Sequence, residues 1–149
     1  ALAANLSALP VELRIESDLS AALGTADIIS SATLARAPLI DGRLVAPGTH
    51  VDLVGSFTPE MRESDSELFR RGHLIVDSIT ALQESGDVIA PLREGVITVP
   101  VPDLTALLRD PGKGRTRAEQ ITVFKSVGTG LADLAAARYV LLRHRATRS

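Results

Sequence analysis

Three short stretches hold the residue types able to grip a ligand: Ser30–Thr33, His50–Leu53 and Lys125–Val127. Each adjoins or lies within an apolar, β-rich run, and ligands in open α/β sheets bind beyond the carboxyl ends of the strands. In the first, Ser31 and Ala32 are small enough to admit a cofactor against the backbone, and Thr33 can donate or accept a hydrogen bond. A polar loop after a buried strand reads as plainly from these residues alone. In the second, strand alternation sends His50 and Asp52 to one face, Val51 and Leu53 to the other. Polar side chains inside a parallel strand need something polar beside them. A histidine satisfied by a carboxylate at the sheet margin is the simpler account. In the third, the run Ile121–Phe124 gives way at Lys125 and Ser126 to a helical pattern with glycines in its first turn. That order predicts a strand end and a helix start whose free N–H groups face whatever lies above the sheet. Ser126 would cap this helix, a contribution of roughly 1 kcal/mol. Lys125 reads as a solvated lysine at a strand end.

The elements that must position these residues alternate in type. Strands are predicted at 11–15, 27–32, 50–55, 73–77 and 120–124, and helices at 18–23, 63–71, 78–84, 103–109 and 127–144. Asp18 caps the first of these helices and Gly24 ends it. Such alternation predicts an α/β fold with a parallel sheet covered on both faces. Val96–Pro102 is β-branched but carries two prolines, and reads as an extended edge or loop. Asp110–Arg115 reads as a turn, and Ala1–Ala8 as the end of a helix without an N-cap.

At 149 residues and 45% hydrophobic content, one domain with a real core is expected. A net charge of −2 and an aromatic content of 3% suggest no polyanion partner and leave no stacking platform for nucleic acid. The absence of cysteine excludes disulfides and thiolate metal sites, and no metal is expected. No apolar run approaches a membrane span and no signal-peptide pattern is present, so a soluble, cytoplasmic protein is expected.

Ile121–Ala137 and Pro47–Asp65, in this order and spacing, resemble the nicotinamide-binding half of the ornithine cyclodeaminase/mu-crystallin family. The resemblance runs from about Ala26 to Tyr139. It implies a Rossmann-like, doubly wound parallel sheet that binds NAD or NADP. It places Ser31, Ala32 and Thr33 along the dinucleotide, and the backbone of His50, Val51, Asp52 and Leu53 beside its nicotinamide-ribose side. It puts Ser126 on the carboxamide and Val127 in the wall of the substrate pocket. A dinucleotide-binding fold opens with a strand and a G-x-G-x-x-G turn, but no such turn follows a strand here. The expectation is therefore an incomplete Rossmann domain. Residues 1–149 would be the C-terminal part of a polypeptide about twice as long. The final helix, about 127–145, would pack back toward an N-terminal substrate domain through which family members usually dimerise.

The turn Gly55–Pro59 separates activities within the family. In ornithine cyclodeaminases the matching turn holds an aspartate proposed to act on the substrate amine, and here that position is Phe57. Phenylalanine can neither accept a proton nor pair with an ammonium through a carboxylate. With Glu60–Asp65 following, the turn resembles that of the Δ1-pyrroline-2-carboxylate (ketimine) reductases, with Phe57 in the substrate pocket. Glu63 and Asp65 read as complements to a helix N-terminus, and Arg62 as a solvated or interhelical pair. The resemblance implies NAD(P)H-dependent reduction of Δ1-pyrroline-2-carboxylate or Δ1-piperideine-2-carboxylate to proline or pipecolate. An ornithine cyclodeaminase using bound NAD, and a non-catalytic mu-crystallin-like binding protein, are the alternatives. The implied partner is a small imino or amino acid, and the catalytic residues stay unidentified.

Overall fold

The computed structural model describes residues 10–147, which form a four-stranded, wholly parallel sheet with flanking helices. Helix α1 (Leu19–Leu23) leads into strand β1 (Ile28–Ser31), and strand β2 (His50–Leu53) follows a long loop. Helix α2 (Ser66–Arg71) and strand β3 (Gly72–Val76) come next. Helices α3 (Ala81–Glu84), α4 (Gly86–Arg93) and α5 (Leu104–Arg109) precede strand β4 (Ile121–Lys125), and helix α6 (Gly130–Ala146) ends the order. The strand order is β1-β2-β4-β3, so the last strand is inserted between β2 and β3. This is the expected open, Rossmann-like α/β sheet.

Strand alternation divides the sheet into two unlike faces. Val51, Leu53, Val76 and Val123 point into a core closed by Leu68 and Phe69 of α2, Ala81 of α3 and Val88 of α4. Each such fully buried aliphatic side chain stabilises by about 1.5–3 kcal/mol. The opposite face carries Ser30, His50, Asp52, Thr122 and Phe124, and its cover is partial. Leu104 and Leu107 of α5 enclose a cleft of about 400 Å³ with Ile75, Phe124 and His50. Ile28, on edge strand β1, stays 69% exposed. The sheet is thus well covered on one face only, among the described residues.

Several expected elements differ. The segment 11–15 joins no sheet, and Ile15 is 86% exposed. Its alternation supplies a face, but a strand also needs an edge to pair with. The helix expected over 63–71 begins only after Asp65, whose Oδ1 accepts the Leu68 N–H at 3.1 Å. Glu63 precedes that helix and is buried, so it does not complement a helix terminus. The helix expected over 78–84 is α3 followed at once by α4, which Gly86 and Pro91 disguise in the sequence.

The last helix starts later than expected. Thr129, not Ser126, caps α6, its Oγ1 accepting the Ala132 N–H at 3.2 Å. Gly128 makes the intervening turn with φ +80°, a left-handed conformation that side chains disfavour. Lys125 is not solvated; its side chain is fully buried. Every residue of α6 is exposed. The helix read over Ala1–Ala8 lies outside the described residues.

Candidate functional site

Strands β1, β2 and β4 end side by side, and a buried carboxylate joins the first two endings. Glu63 Oε1 accepts the Ser31 hydroxyl at 2.6 Å, the Thr33 N–H at 2.6 Å and the Thr33 hydroxyl at 3.0 Å. Its Oε2 accepts the Gly55 N–H at 2.7 Å. Burial pushes the Glu63 carboxyl upward, but these hydroxyl and amide donors outweigh it and hold the group below the ordinary glutamate range. Gly55 is required there by close approach: a Cβ would lie 2.0 Å from the Thr33 carbonyl oxygen.

Behind Glu63 lies a second buried carboxylate. Asp87 Oδ1 accepts the N–H groups of Glu63 at 2.8 Å and Ser64 at 3.0 Å. Its Oδ2 has no hydrogen bond and lies 3.9 Å from Lys125 Nζ, which donates to the Leu53 carbonyl at 3.1 Å. Burial raises the Asp87 carboxyl and lowers the Lys125 ammonium, outweighing their mutual attraction.

The third strand ending is organised by Asp77, just beyond β3. Asp77 Oδ2 accepts the Ser126 hydroxyl at 2.8 Å, the Val127 N–H at 2.9 Å and the Gly128 N–H at 2.7 Å. The Ser126 N–H donates to the Leu53 carbonyl at 3.0 Å, fastening this turn to β2. Because the Ser126 proton is committed to Asp77, its oxygen can serve a ligand only as an acceptor. Val127 packs against the core, and Phe57 on the neighbouring turn is 50% exposed.

The structure therefore brings Ser31, Ala32, Thr33, Leu53, Ser126, Val127 and the Gly55–Phe57 turn to one edge. Val51 and Leu53 have fully buried side chains, so they can meet a ligand only through their backbone. His50 begins β2, three residues and about 10 Å from Leu53. Its Nδ1 pairs with the Thr122 hydroxyl at 2.8 Å rather than with a carboxylate, while Asp52 Oδ2 accepts the Ser30 hydroxyl at 3.1 Å. This pair faces the partly open side of the sheet, apart from the Ser31–Ser126 edge. Among the described residues, no three His, Asp or Glu side chains gather to hold a metal ion.

Sequence reasoning missed Glu63, Asp77 and Asp87. Asp77 carried a usable signal, a carboxylate directly after a strand. Glu63 and Asp87 are acidic residues beside helix starts, where a solvated role is the default. The edge as built positions rather than titrates: both Glu63 oxygens and the Ser126 proton are engaged. Ala32 is exposed, and open space lies beside Gly128, where a Cβ would meet nothing within 4 Å.

A family model described as the ornithine cyclodeaminase/mu-crystallin family matches residues 1–148. A Δ1-pyrroline-2-carboxylate reductase of Paracoccus denitrificans is 45% identical over 138 residues, 91% of this chain and 44% of that protein. The ketimine reductase mu-crystallin of Mus musculus is 40% identical over 132 residues, 87% of this chain and 39% of the relative. The solved structure of Thermococcus litoralis Δ1-pyrroline-2-carboxylate reductase, in complex with NADH and L-proline, superposes with a TM-score of 0.76 at 37% identity. That match covers 85% of this chain and 39% of the solved one. The chain thus spans less than half the length of these relatives.

Proposed function

The chain belongs to the ornithine cyclodeaminase/mu-crystallin family, and on that premise we propose that its protein reduces the C=N bond of a cyclic imino acid with NADH or NADPH. The substrate class is Δ1-pyrroline-2-carboxylate or its six-membered homologue, and the products are proline or pipecolate. The observation that carries this reading is Phe57. It puts a half-exposed aromatic ring where a cyclodeaminase needs a carboxylate, and an apolar wall suits a flat imine better than a charged terminal ammonium. The relatives named above as reductases support the same choice.

When bound, the dihydronicotinamide ring supplies the hydride, and the residues of this chain orient it. Ser31, Ala32 and Thr33 would line the dinucleotide, with Thr33 and Ser31 held in place by Glu63. The backbone of His50, Val51, Asp52 and Leu53 would flank the nicotinamide-ribose side, Leu53 from the edge itself. Ser126, its proton given to Asp77, would accept a hydrogen bond from the carboxamide NH2. Val127 and Phe57 would form the apolar side of the substrate pocket. No side chain of this edge is free to deliver the proton that the imine nitrogen takes up. That group, the glycine-rich turn and the substrate carboxylate partner would come from the remainder of a longer polypeptide, in which residues 1–149 complete a Rossmann domain. Helix α6 would pack against its N-terminal domain, which would also form a homodimer. The protein would work in the cytoplasm.

The test is a side-by-side assay of the full-length protein. Loss of nicotinamide absorbance with Δ1-pyrroline-2-carboxylate, and little ammonia from ornithine, is the expected result. Proline and ammonia from ornithine without imine reduction would reverse it, and inactivity in both assays would leave a binding protein.

A further inference from the structure

Among the described residues, Glu63 is the one carboxylate that touches both the Ser31–Thr33 loop and the Gly55 turn: its Oε1 receives three donors from the loop and its Oε2 receives the Gly55 N–H. The packing between these parts leaves no slack, since a Cβ on Gly55 would fall 2.5 Å from Glu63 Oε1 as well as against Thr33. Glu63 is itself located from behind, because its own N–H is fixed by Asp87 at 2.8 Å. A glutamine has a single acceptor oxygen, and its NH2 would confront a donor on one side or the other.

We infer that Glu63 is a positioning residue for the cofactor edge, locking the loop along the dinucleotide to the turn that carries Phe57. This role rests on the proposed function. A carboxylate shared by both parts fixes the spacing between the nicotinamide and the apolar wall, which a backbone contact at Val54 alone would set only at one point.

The experiment titrates the full-length protein with NADH and NADPH by nicotinamide fluorescence, well below the melting temperature of each variant. Glu63→Gln, Ser31→Ala and the core control Val88→Ala are compared with the unsubstituted protein, and exchange of the Thr33 and Gly55 amides is followed without cofactor. Glu63→Gln is expected to raise Kd at least about tenfold and Ser31→Ala about threefold, while Val88→Ala melts lower with unchanged Kd. In Glu63→Gln both amides should exchange faster together. Unchanged affinity in Glu63→Gln and Ser31→Ala overturns the role, as does an equal loss in Val88→Ala, which would trace the effect to instability. If Glu63→Gln does not fold, Ser31→Ala against Val88→Ala decides. Failure of the unsubstituted protein to bind either nucleotide overturns the proposed function, and this role with it.

Discussion

Lys125 Nζ lies 3.9 Å from Asp87 Oδ2 with both side chains fully buried. The ammonium gives a hydrogen bond to the Leu53 carbonyl, while Asp87 Oδ2 has the charge for company but no donor. A pair of this kind contributes little net stability, because desolvation offsets the attraction. Its members are nonetheless hard to remove one at a time.

Lys125→Met should therefore destabilise the protein by about 3–5 kcal/mol, the usual cost of leaving a buried charge unpaired. Adding Asp87→Asn should restore part of that loss. Urea unfolding of both single variants and the double variant closes the cycle. Additive losses would show that the two groups do not feel each other.

Acid should expose the contribution of Glu63. Its folded pKa is lowered, so its stabilisation is present above the ordinary glutamate value and is lost as pH falls through the folded one. Urea midpoints of the unsubstituted protein should drop below about pH 4.3, and those of Glu63→Gln should drop less. Asp87, raised by burial, has the opposite sign but is common to both proteins. Parallel acid curves would remove Glu63 from the account.

Ser126→Ala and Thr129→Ala should separate binding from capping. Loss of the Ser126 acceptor should weaken nicotinamide binding by about 1 kcal/mol without reducing helix content. Thr129→Ala should fray α6, costing about 1 kcal/mol of helix stability, and weaken affinity by no more than that amount. Circular dichroism and fluorescence titration read the two effects, and a helix loss in Ser126→Ala would restore it as a cap.

Phe57→Asp should raise KM for the imine roughly tenfold or more, since a charged group would replace about 1.4 kcal/mol or more of apolar contact. Cofactor affinity should change little. Initial rates at saturating nucleotide measure the first and fluorescence titration the second; an unaltered KM would place Phe57 outside the pocket.

The strands were legible because 28–31, 50–53, 72–76 and 121–125 are short stretches of paired or alternating apolar residues between turn residues, and Asp18 and Gly24 bracket α1 as their chemistry requires. The segment 11–15 misled because alternation carries no information about a partner. Ser126 misled because hydroxyls cap helices and hydrogen-bond carboxylates equally well, and Asp77 is 49 residues distant in sequence. Lys125, Glu63 and Asp87 were illegible for a related reason. A charge is buried only by virtue of others that arrive from elsewhere in the fold, and local composition records none of them. What the sequence did convey at the site was position, namely which strand ends face outward together.

Helix α6 has 17 residues, about 25 Å of length at 1.5 Å each, and offers every one of them to its surroundings. A lone helix of that size sits near the threshold of persistence in water. Its root is Gly128, tethered by Asp77 in company with Ser126. With nicotinamide at Ser126, as proposed, the coupling between that contact and order in the helix runs equally in both directions. Amide protection along α6 should rise with nicotinamide concentration, making the helix a lever whose far end reports on the grip at its fulcrum.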